Sequence, residues 1–326
     1  MVAVVLPLAI AGCTAKKNAS PDIVLVTVDG NLPICKSMTS ENTLLFSDAY
    51  TTSPSTLPAA ASVLTGRVPP DHGLRVNGVG SLNAQATTLA SALPAYRSAA
   101  FLSTSALSPV HGLTNGFAIY EAKIALTNRN TAFTTPAARL VDDAIAFKQK
   151  KAEGEKKPVF VWVHLSPFAG VTPSDFQAMR AAETNALAEI DRLFSAFKSD
   201  SSIQAVVPLY NIDTNAVFPG LSIDVPATRV TVAVSGPGLK GLCEKPFSIA
   251  EIKNVVLDAV AGKPFACNEQ ASVYSESVMP WYILRLPVLQ TARGKVSTLP
   301  PLGLDKVVAQ PQAGQMEMMV SKLHVG

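Results

Sequence analysis

The chain has 326 residues, of which 48% are hydrophobic and 16% are charged, and its formal net charge is +3. This composition is typical of a globular protein with a large core and excludes disorder over most of the length. The near-neutral balance argues against a nucleic-acid partner, because the lysines of the run at 148–157 are interspersed with glutamates.

The first element in chain order is an uncharged apolar run that ends at Cys13. It is too short to span about 30 Å of hydrocarbon as a helix and is typical of the apolar part of a signal peptide. Residues 10–13, Ile-Ala-Gly-Cys, resemble a bacterial lipobox, whose cysteine is acylated. We therefore predict a lipoprotein signal peptide at 1–13 and a polar tether at 14–21. A buried apolar N-terminal segment is the alternative.

Acylation of Cys13 would make the bacterial membrane the first partner of this chain. Thr14 follows in place of the aspartate that commonly retains lipoproteins at the inner membrane. The expected location is therefore the cell envelope, lipid-anchored at the outer membrane and facing the periplasm. This oxidising compartment permits a disulfide, for which Cys243 and Cys267 are the preferred pair. Small buried thiols are the alternative interpretation.

Strand and helix patterns alternate past the tether. Three apolar runs predict strands covered on both faces, at 22–29, 159–165 and 228–236. Helical patterns occupy 57–66, 138–151, 174–199 and 248–262, with Gly66 closing the first and Ser174 and Ser248 as N-caps. The alternation predicts one α/β domain at 22–295, a three-layer α/β/α sandwich with a mostly parallel central sheet, and a C-terminal tail at 296–326.

One longer segment carries a family resemblance: YTTSPSTLPAAASVLTGRVPPDHGLRVNG, at 50–78. Six shorter segments accompany it: PDIVLVTVDG at 21–30, GLTNGFAIYE at 112–121, VFVWVHLSP at 159–167, AEIDRLFSAF at 188–197, VAVSGPG at 232–238 and VYSES at 273–277. In this order they resemble sulfatases of the alkaline phosphatase superfamily. The resemblance implies that fold and the hydrolysis of sulfate or phosphate esters, with a divalent metal that orients a nucleophile at a helix N-terminus.

The resemblance also assigns site positions, several of which have changed. Asp29 matches the first metal-binding aspartate, while Gly30 stands where many relatives carry a second acid. Thr56 falls on the nucleophile, so the cysteine that becomes formylglycine in sulfatases is absent. Ala60 lies where an arginine or histidine helps to hold the site. One carboxylate and the nucleophile position are therefore retained, and we expect Asp29 and Thr56 to lie close together at the carboxyl edge of the sheet.

Two later motifs of the family are altered as well. After the strand at 159–165 relatives carry Asp-Pro-His, whereas this chain has Ser166, a proline and Phe168. His164 remains, either as a contact to the site or as a buried core histidine. Where relatives show Asp-His-Gly, Tyr210 stands on the aspartate and Asn211 on the histidine, which makes Asn211 a vestigial metal position. We therefore expect no cofactor, the alternative being one divalent cation, Ca, Mg, Mn or Zn.

Two functions are consistent with this pattern. The favoured hypothesis is a catalytically degenerate, sulfatase-like lipoprotein that binds an anionic ligand or an envelope protein. The alternative is a metal-dependent sulfuric or phosphoric ester hydrolase that uses Asp29 and Thr56, with Asp48, Asp213 or Glu276 as displaced ligands. His72, which follows the nucleophile helix, is expected to have a structural role rather than to bind metal.

Overall fold

A computed structural model describes most of the chain. The described residues are 20–122, 134–150, 157–172, 174–212, 228–267, 272–280, 289–290, 296–297 and 316–324. Cys13 and Asp213, which the sequence analysis singled out, lie outside them. Within the described residues, no helix is both long enough and apolar enough to cross a membrane.

A nine-stranded mixed sheet forms the centre of the domain. Its strands are β1 Ile23–Asp29, β2 Thr43–Tyr50, β3 Arg97–Leu102, β4 Ile119–Glu121, β5 Val159–Leu165, β6 Ile203–Tyr210, β7 Arg229–Ser235, β8 Gly241–Cys243 and β9 Phe247–Ser248. The order is β4-β3-β5-β1-β6-β7-β2-β8, with β9 also paired to β2. Only β7 among these strands runs antiparallel to its neighbours. The predicted, mostly parallel sheet is confirmed.

Helices cover both faces of this sheet. Their bounds are α1 Thr56–Thr65, α2 Pro69–His72, α3 Ala137–Gln149, α4 Phe176–Phe197 and α5 Ile252–Val260. Alternate residues of β1 belong to different cores: Ile23 packs in the cluster with α1 and α5, and Val24 in the cluster with α3 and α4. Burial on both faces explains why the strand is continuously apolar.

Helix ends mostly follow the sequence signals. Gly66 ends α1 in the left-handed region, with φ 72°, a conformation that glycine adopts without strain. Ser248 caps the 3-10 turn that leads into α5, accepting from the N–H of Ala250. The predicted N-cap Ser174 is wrong, because the neighbouring Asp175 accepts from the N–H of Ala178 and begins α4.

Two connections lie outside the central sheet. The disulfide joins the preferred pair, Cys243 at the end of β8 and Cys267 beyond α5. Further along, β10 (Ser272–Pro280) pairs antiparallel with β13 (Met316–His324), and β11 (Leu289–Gln290) with β12 (Val296–Ser297). Part of the segment predicted as a tail, at 296–326, thus pairs with strands before it.

Candidate functional site

Three neighbouring strands and one helix bring the candidate site residues to the carboxyl edge of the sheet. Asp29 ends β1, Ser166 directly follows β5, Tyr210 ends β6, and Thr56 is the first residue of α1. The Thr56 hydroxyl donates to Asp29 Oδ1 at 2.9 Å. The expected proximity of Asp29 and Thr56 is therefore confirmed.

Both oxygens of the Asp29 carboxylate accept hydrogen bonds from protein side chains. The Thr56 hydroxyl donates to Oδ1, and the Ser166 hydroxyl donates to Oδ2 at 2.9 Å. His164 Nε2 lies 3.3 Å from the same Oδ2. Ser103 Oγ, 2.8 Å from Ser166 Oγ, extends this network to the end of β3. A carboxylate with several donors of this kind is satisfied without a cation.

A buried chain of donors fixes the tautomer of His164. Trp162 Nε1, which can only donate, donates a hydrogen bond to Thr27 Oγ1 at 2.9 Å. Thr27 is then free to donate to His164 Nδ1, 2.9 Å away. The remaining ring nitrogen, Nε2, carries the proton and points it at Asp29. Both interpretations of His164 hold, since the residue is fully buried and also reaches the site.

Tyr210 adds a neutral phenol beside the carboxylate. Burial raises the pKa of Tyr210 well above its usual value, and the negative charge of Asp29 raises it further. A hydrogen bond with Thr56 acts in the opposite direction. Tyr210, which the resemblance aligns with a metal-binding aspartate, therefore stays protonated at neutral pH and carries no charge. Asn211, which the resemblance aligns with the histidine, directly follows β6 at the same edge.

An apolar cluster fills the space beside Asp29. A Cβ on Gly30 would lie 2.6 Å from two ring carbons of Phe168 and 3.2 Å from Ile212 Cδ1. Gly30 also has φ 101°, which other residues rarely adopt. A second acid therefore does not fit at position 30 while Phe168 occupies this place. Gly30 and Phe168 are therefore sterically coupled.

Two of the three proposed substitute ligands are engaged elsewhere, and the third, Asp213, lies outside the described residues. Asp48 accepts from Tyr50 and pairs with Arg229. Glu276, fully buried in β10, is held by both Arg75 and Tyr274.

Among the described residues, no group of three or more histidine, cysteine, aspartate or glutamate side chains could hold a metal ion. With Asp29 satisfied by hydroxyl and imidazole donors and Phe168 over Gly30, the residues that the structure describes do not fit the divalent metal that the family implies.

Three successive positions in the first turn of α1, 57–59, have no free backbone donor. The N–H of Leu57 donates to Asn77 Oδ1 at 2.8 Å, and the N–H of Ala59 donates to Ser55 O at 3.1 Å. Pro58 has no N–H. None of these three positions offers a donor to an anion. Asn77 was not predicted from the sequence. The Asn77-Gly78 pair indicates a turn, but it does not show that the Asn77 side chain accepts from the N–H of Leu57.

His72 has the structural role expected of it. Its Nδ1 accepts from the N–H of Leu74 at 3.1 Å, so the protonated Nε2 donates to Ser62 Oγ in α1 at 3.0 Å. Burial lowers the pKa of His72 to about 4. Thr52 donates to the same Ser62 at 2.7 Å, which ties the loop before α1 to the turn after it.

Comparisons with known proteins agree with this architecture. The family model described as Sulfatase matches residues 27–217, more than half of the chain. No curated protein sequence matches significantly. A phosphonate monoester hydrolase of Agrobacterium radiobacter is similar with a TM-score of 0.60 and 14% identity, covering 80% of this chain and 81% of that one.

Two further solved structures show the same similarity. The phosphonate monoester hydrolase of Silicibacter pomeroyi has a TM-score of 0.59 and 13% identity, covering 81% of each chain. A 2-O GAG sulfatase has a TM-score of 0.59 and 14% identity, covering 79% of this chain and 78% of that one. At such identities the structural likeness establishes a shared fold.

Proposed function

Because the chain belongs to the sulfatase family, we propose that it is a catalytically degenerate member that acts in the cell envelope by binding rather than by hydrolysis. The observation that carries the proposal is the Asp29 carboxylate, whose oxygens accept from Thr56, Ser166 and His164. In a working site of the family, metal ligation would use these lone pairs. Here protein donors use them.

The nucleophile position supports the same conclusion. A threonine hydroxyl is a weak nucleophile unless a base or a metal activates it. The Thr56 hydroxyl donates its hydrogen bond to Asp29. Ala60, where the resemblance places an arginine or histidine, is fully buried in α1 and has neither charge nor donor. Nothing in this set compensates the charge that a sulfate or phosphate ester develops in its transition state. The Thr56 hydroxyl therefore has a structural role, as a hydrogen-bond donor to Asp29.

Attachment to the envelope is the second part of the proposal. The Ile-Ala-Gly-Cys string at 10–13 supports acylation of Cys13, and the disulfide between Cys243 and Cys267 suits an oxidising compartment. An outer-membrane protein facing the periplasm would meet envelope proteins and anionic glycans or lipids as partners. Two or more acyl chains give stable attachment where one chain does not.

Turnover assays test the absence of catalysis. Purified protein is offered aryl sulfates, phosphate monoesters and phosphonate monoesters, with Ca, Mg, Mn or Zn added in turn. We expect wild type to match the background rate of Thr56→Val and Asp29→Asn. Asp142→Asn, at an exposed carboxylate on α3, is the matched control. Metal-dependent turnover that Thr56→Val and Asp29→Asn abolish and Asp142→Asn keeps would establish the hydrolase instead.

Lipid labelling tests the anchor. Cells that express wild type or Cys13→Ser are fed an alkyne fatty acid and fractionated. Wild type should carry the label and sediment with membranes, and Cys13→Ser should lose both properties. Cys35→Ser is the control, because Cys35 is a buried free thiol within the folded domain. Equal labelling of wild type and Cys13→Ser would overturn the anchor.

A further inference from the structure

A polar cleft lies at the C-terminal end of α1. Its volume is about 180 Å³, and two segments of the chain line it. The first runs from Thr65, the last residue of α1, to His72 at the end of α2, and the second is the loop at 83–87. The ten residues of α1 span about 15 Å, which separates this cleft from Thr56 at the other end of the helix. We call it the Arg67 cleft, after one of the residues that line it.

Hydrogen bonds hold both walls of the Arg67 cleft in place. The Lys253 ammonium, from α5, donates to the carbonyl of Thr65 in one wall at 3.1 Å and to the carbonyl of Thr87 in the other at 2.8 Å. Both ring nitrogens of His72 form hydrogen bonds within the protein. The cleft is therefore formed before any ligand arrives, which lowers the entropic cost of binding.

The Arg67 cleft carries more positive than negative charge. Arg67 is exposed, and no ion pair or hydrogen bond joins its side chain to any residue that the structure describes. Burial lowers the pKa of Lys253, and the positive charge of Arg67 lowers it further, so the two cations repel each other. Asp71 is the one acidic side chain among the lining residues. His72 is neutral at neutral pH, because burial lowers its pKa to about 4.

The loop at 83–87 adds uncharged hydrogen-bond donors. Asn83 Oδ1 accepts from the N–H of Gln85 at 2.9 Å, which leaves the Asn83 amide nitrogen as a donor. The side chains of Gln85 and Thr87 have no hydrogen-bond partner within the described part of the chain. These three side chains and the Arg67 guanidinium can therefore donate to oxygen atoms of a ligand in the cleft.

We propose that the Arg67 cleft binds a phosphate group, free or as the ester of a larger molecule. A guanidinium donates to two phosphate oxygens at once, and the side chains of the loop at 83–87 supply donors for the remaining oxygens. The charge of a phosphate, about −1.5 to −2 at neutral pH, interacts with a net positive site more strongly than the single charge of a carboxylate. The proposal requires neither the acyl anchor nor the loss of catalysis at the candidate site.

Calorimetric titration tests the ligand class. Purified protein, in a buffer without phosphate or sulfate, is titrated with inorganic phosphate, glycerol 3-phosphate and acetate. We expect inorganic phosphate to bind at least roughly tenfold more tightly than acetate. Equal affinity of glycerol 3-phosphate would show that the site accepts an ester, and its failure to bind would restrict the site to the free ion. No binding of inorganic phosphate at millimolar concentration, or equal affinity for acetate, would overturn the proposal.

Arg67→Gln should weaken phosphate binding by about tenfold or more, because it removes the charge and the paired donors. Arg180→Gln makes the same change in net charge at an exposed position on α4 and should bind within about twofold of wild type. Equal losses in the two variants would show that overall charge decides binding, which would overturn the proposal.

Asp71→Asn should tighten phosphate binding by roughly twofold to fivefold, because it removes an exposed negative charge from the cleft. Asp142→Asn, at an exposed carboxylate on α3, is the matched control. An affinity of Asp71→Asn no higher than that of Asp142→Asn would place the phosphate outside the cleft and contradict the proposal. Melting temperatures measured in parallel show that each variant remains folded.

Nuclear magnetic resonance separates this cleft from the candidate site. Phosphate should shift the backbone amide signals of Arg67 and Gln85 and leave that of Thr56 unchanged. Shifts at Thr56 without shifts at Gln85 would place the anion at the candidate site and overturn the proposal. Ester turnover in the assays described above would overturn catalytic degeneracy and leave the Arg67 cleft in place.

Discussion

The ring of Phe168 lies against the α-carbon of Gly30, where any Cβ would come within 2.6 Å of it. Position 30 follows Asp29, and position 168 lies in the loop after β5. Gly30 and Phe168 therefore form one packing arrangement. An acidic side chain at position 30 requires position 168 to change as well.

Gly30→Asp should lower the free energy of unfolding by about 2–4 kcal/mol, because it adds a steric clash to a positive φ. The double variant Gly30→Asp/Phe168→Ala removes the ring and should recover part of the loss. Urea unfolding measures both. The packing explanation is contradicted if Phe168→Ala leaves the cost of Gly30→Asp unchanged.

Asp29→Asn should destabilise the protein by about 2–4 kcal/mol in buffer that contains a chelator, since one of the two accepting oxygens becomes an amide nitrogen, which cannot accept from Thr56 or from Ser166 and His164. A carboxylate used mainly for metal would give little loss under those conditions. Asp142→Asn, at a carboxylate 62% exposed, should cost less than about 1 kcal/mol. Similar losses for the two variants would argue against a special role of the Asp29 network.

The pH dependence of stability should reflect the protonation of His72. Its pKa is about 4 in the folded protein and about 6.5 in the unfolded chain, so the unfolded chain binds more protons between these values. The contribution is complete above pH 6.5 and is lost as the pH falls towards 4. The maximum loss is about 3 kcal/mol. His72→Gln should flatten the profile in that window, and an unchanged slope would contradict the assignment.

Reduction of the disulfide should lower stability by about 3 kcal/mol, since the bridge closes a loop with a sequence separation of 24. Thermal unfolding with and without reductant measures the effect, with Cys243→Ser/Cys267→Ser as the reference. The double variant should not respond to reductant. If the melting temperature of wild type is the same with and without reductant, the bridge does not form.

The sequence was sufficient to predict the layers and the central pair of the site. Apolar runs covered on both faces determine β1 and β5, and Gly66 marks the end of α1. The order of motifs placed Asp29 beside Thr56. Such features depend on local periodicity and on chain order, both of which are visible in one sequence.

The hydrogen bonds around Asp29 were not predictable in the same way. In the sequence, Ser166 stands where the resemblance places an aspartate, which predicts only the absence of a carboxylate. In the structure, its hydroxyl donates to Asp29. The link from Trp162 through Thr27 to His164 depends on strand register, because positions on neighbouring strands are brought level only in the folded sheet. The antiparallel direction of β7 likewise follows from pairing, not from its apolar pattern.

Metal-dependent thermal stability tests most directly whether hydrogen bonds from Thr56, His164 and Ser166 replace a cation on Asp29. Metal-free protein is melted with a chelator and then with millimolar Ca, Mg, Mn or Zn. We expect the same melting temperature in every case. A metal present at about 100 times its dissociation constant would raise the melting temperature by roughly 5 °C or more. Such a rise in wild type, absent in Asp29→Asn, would show that Asp29 binds a cation.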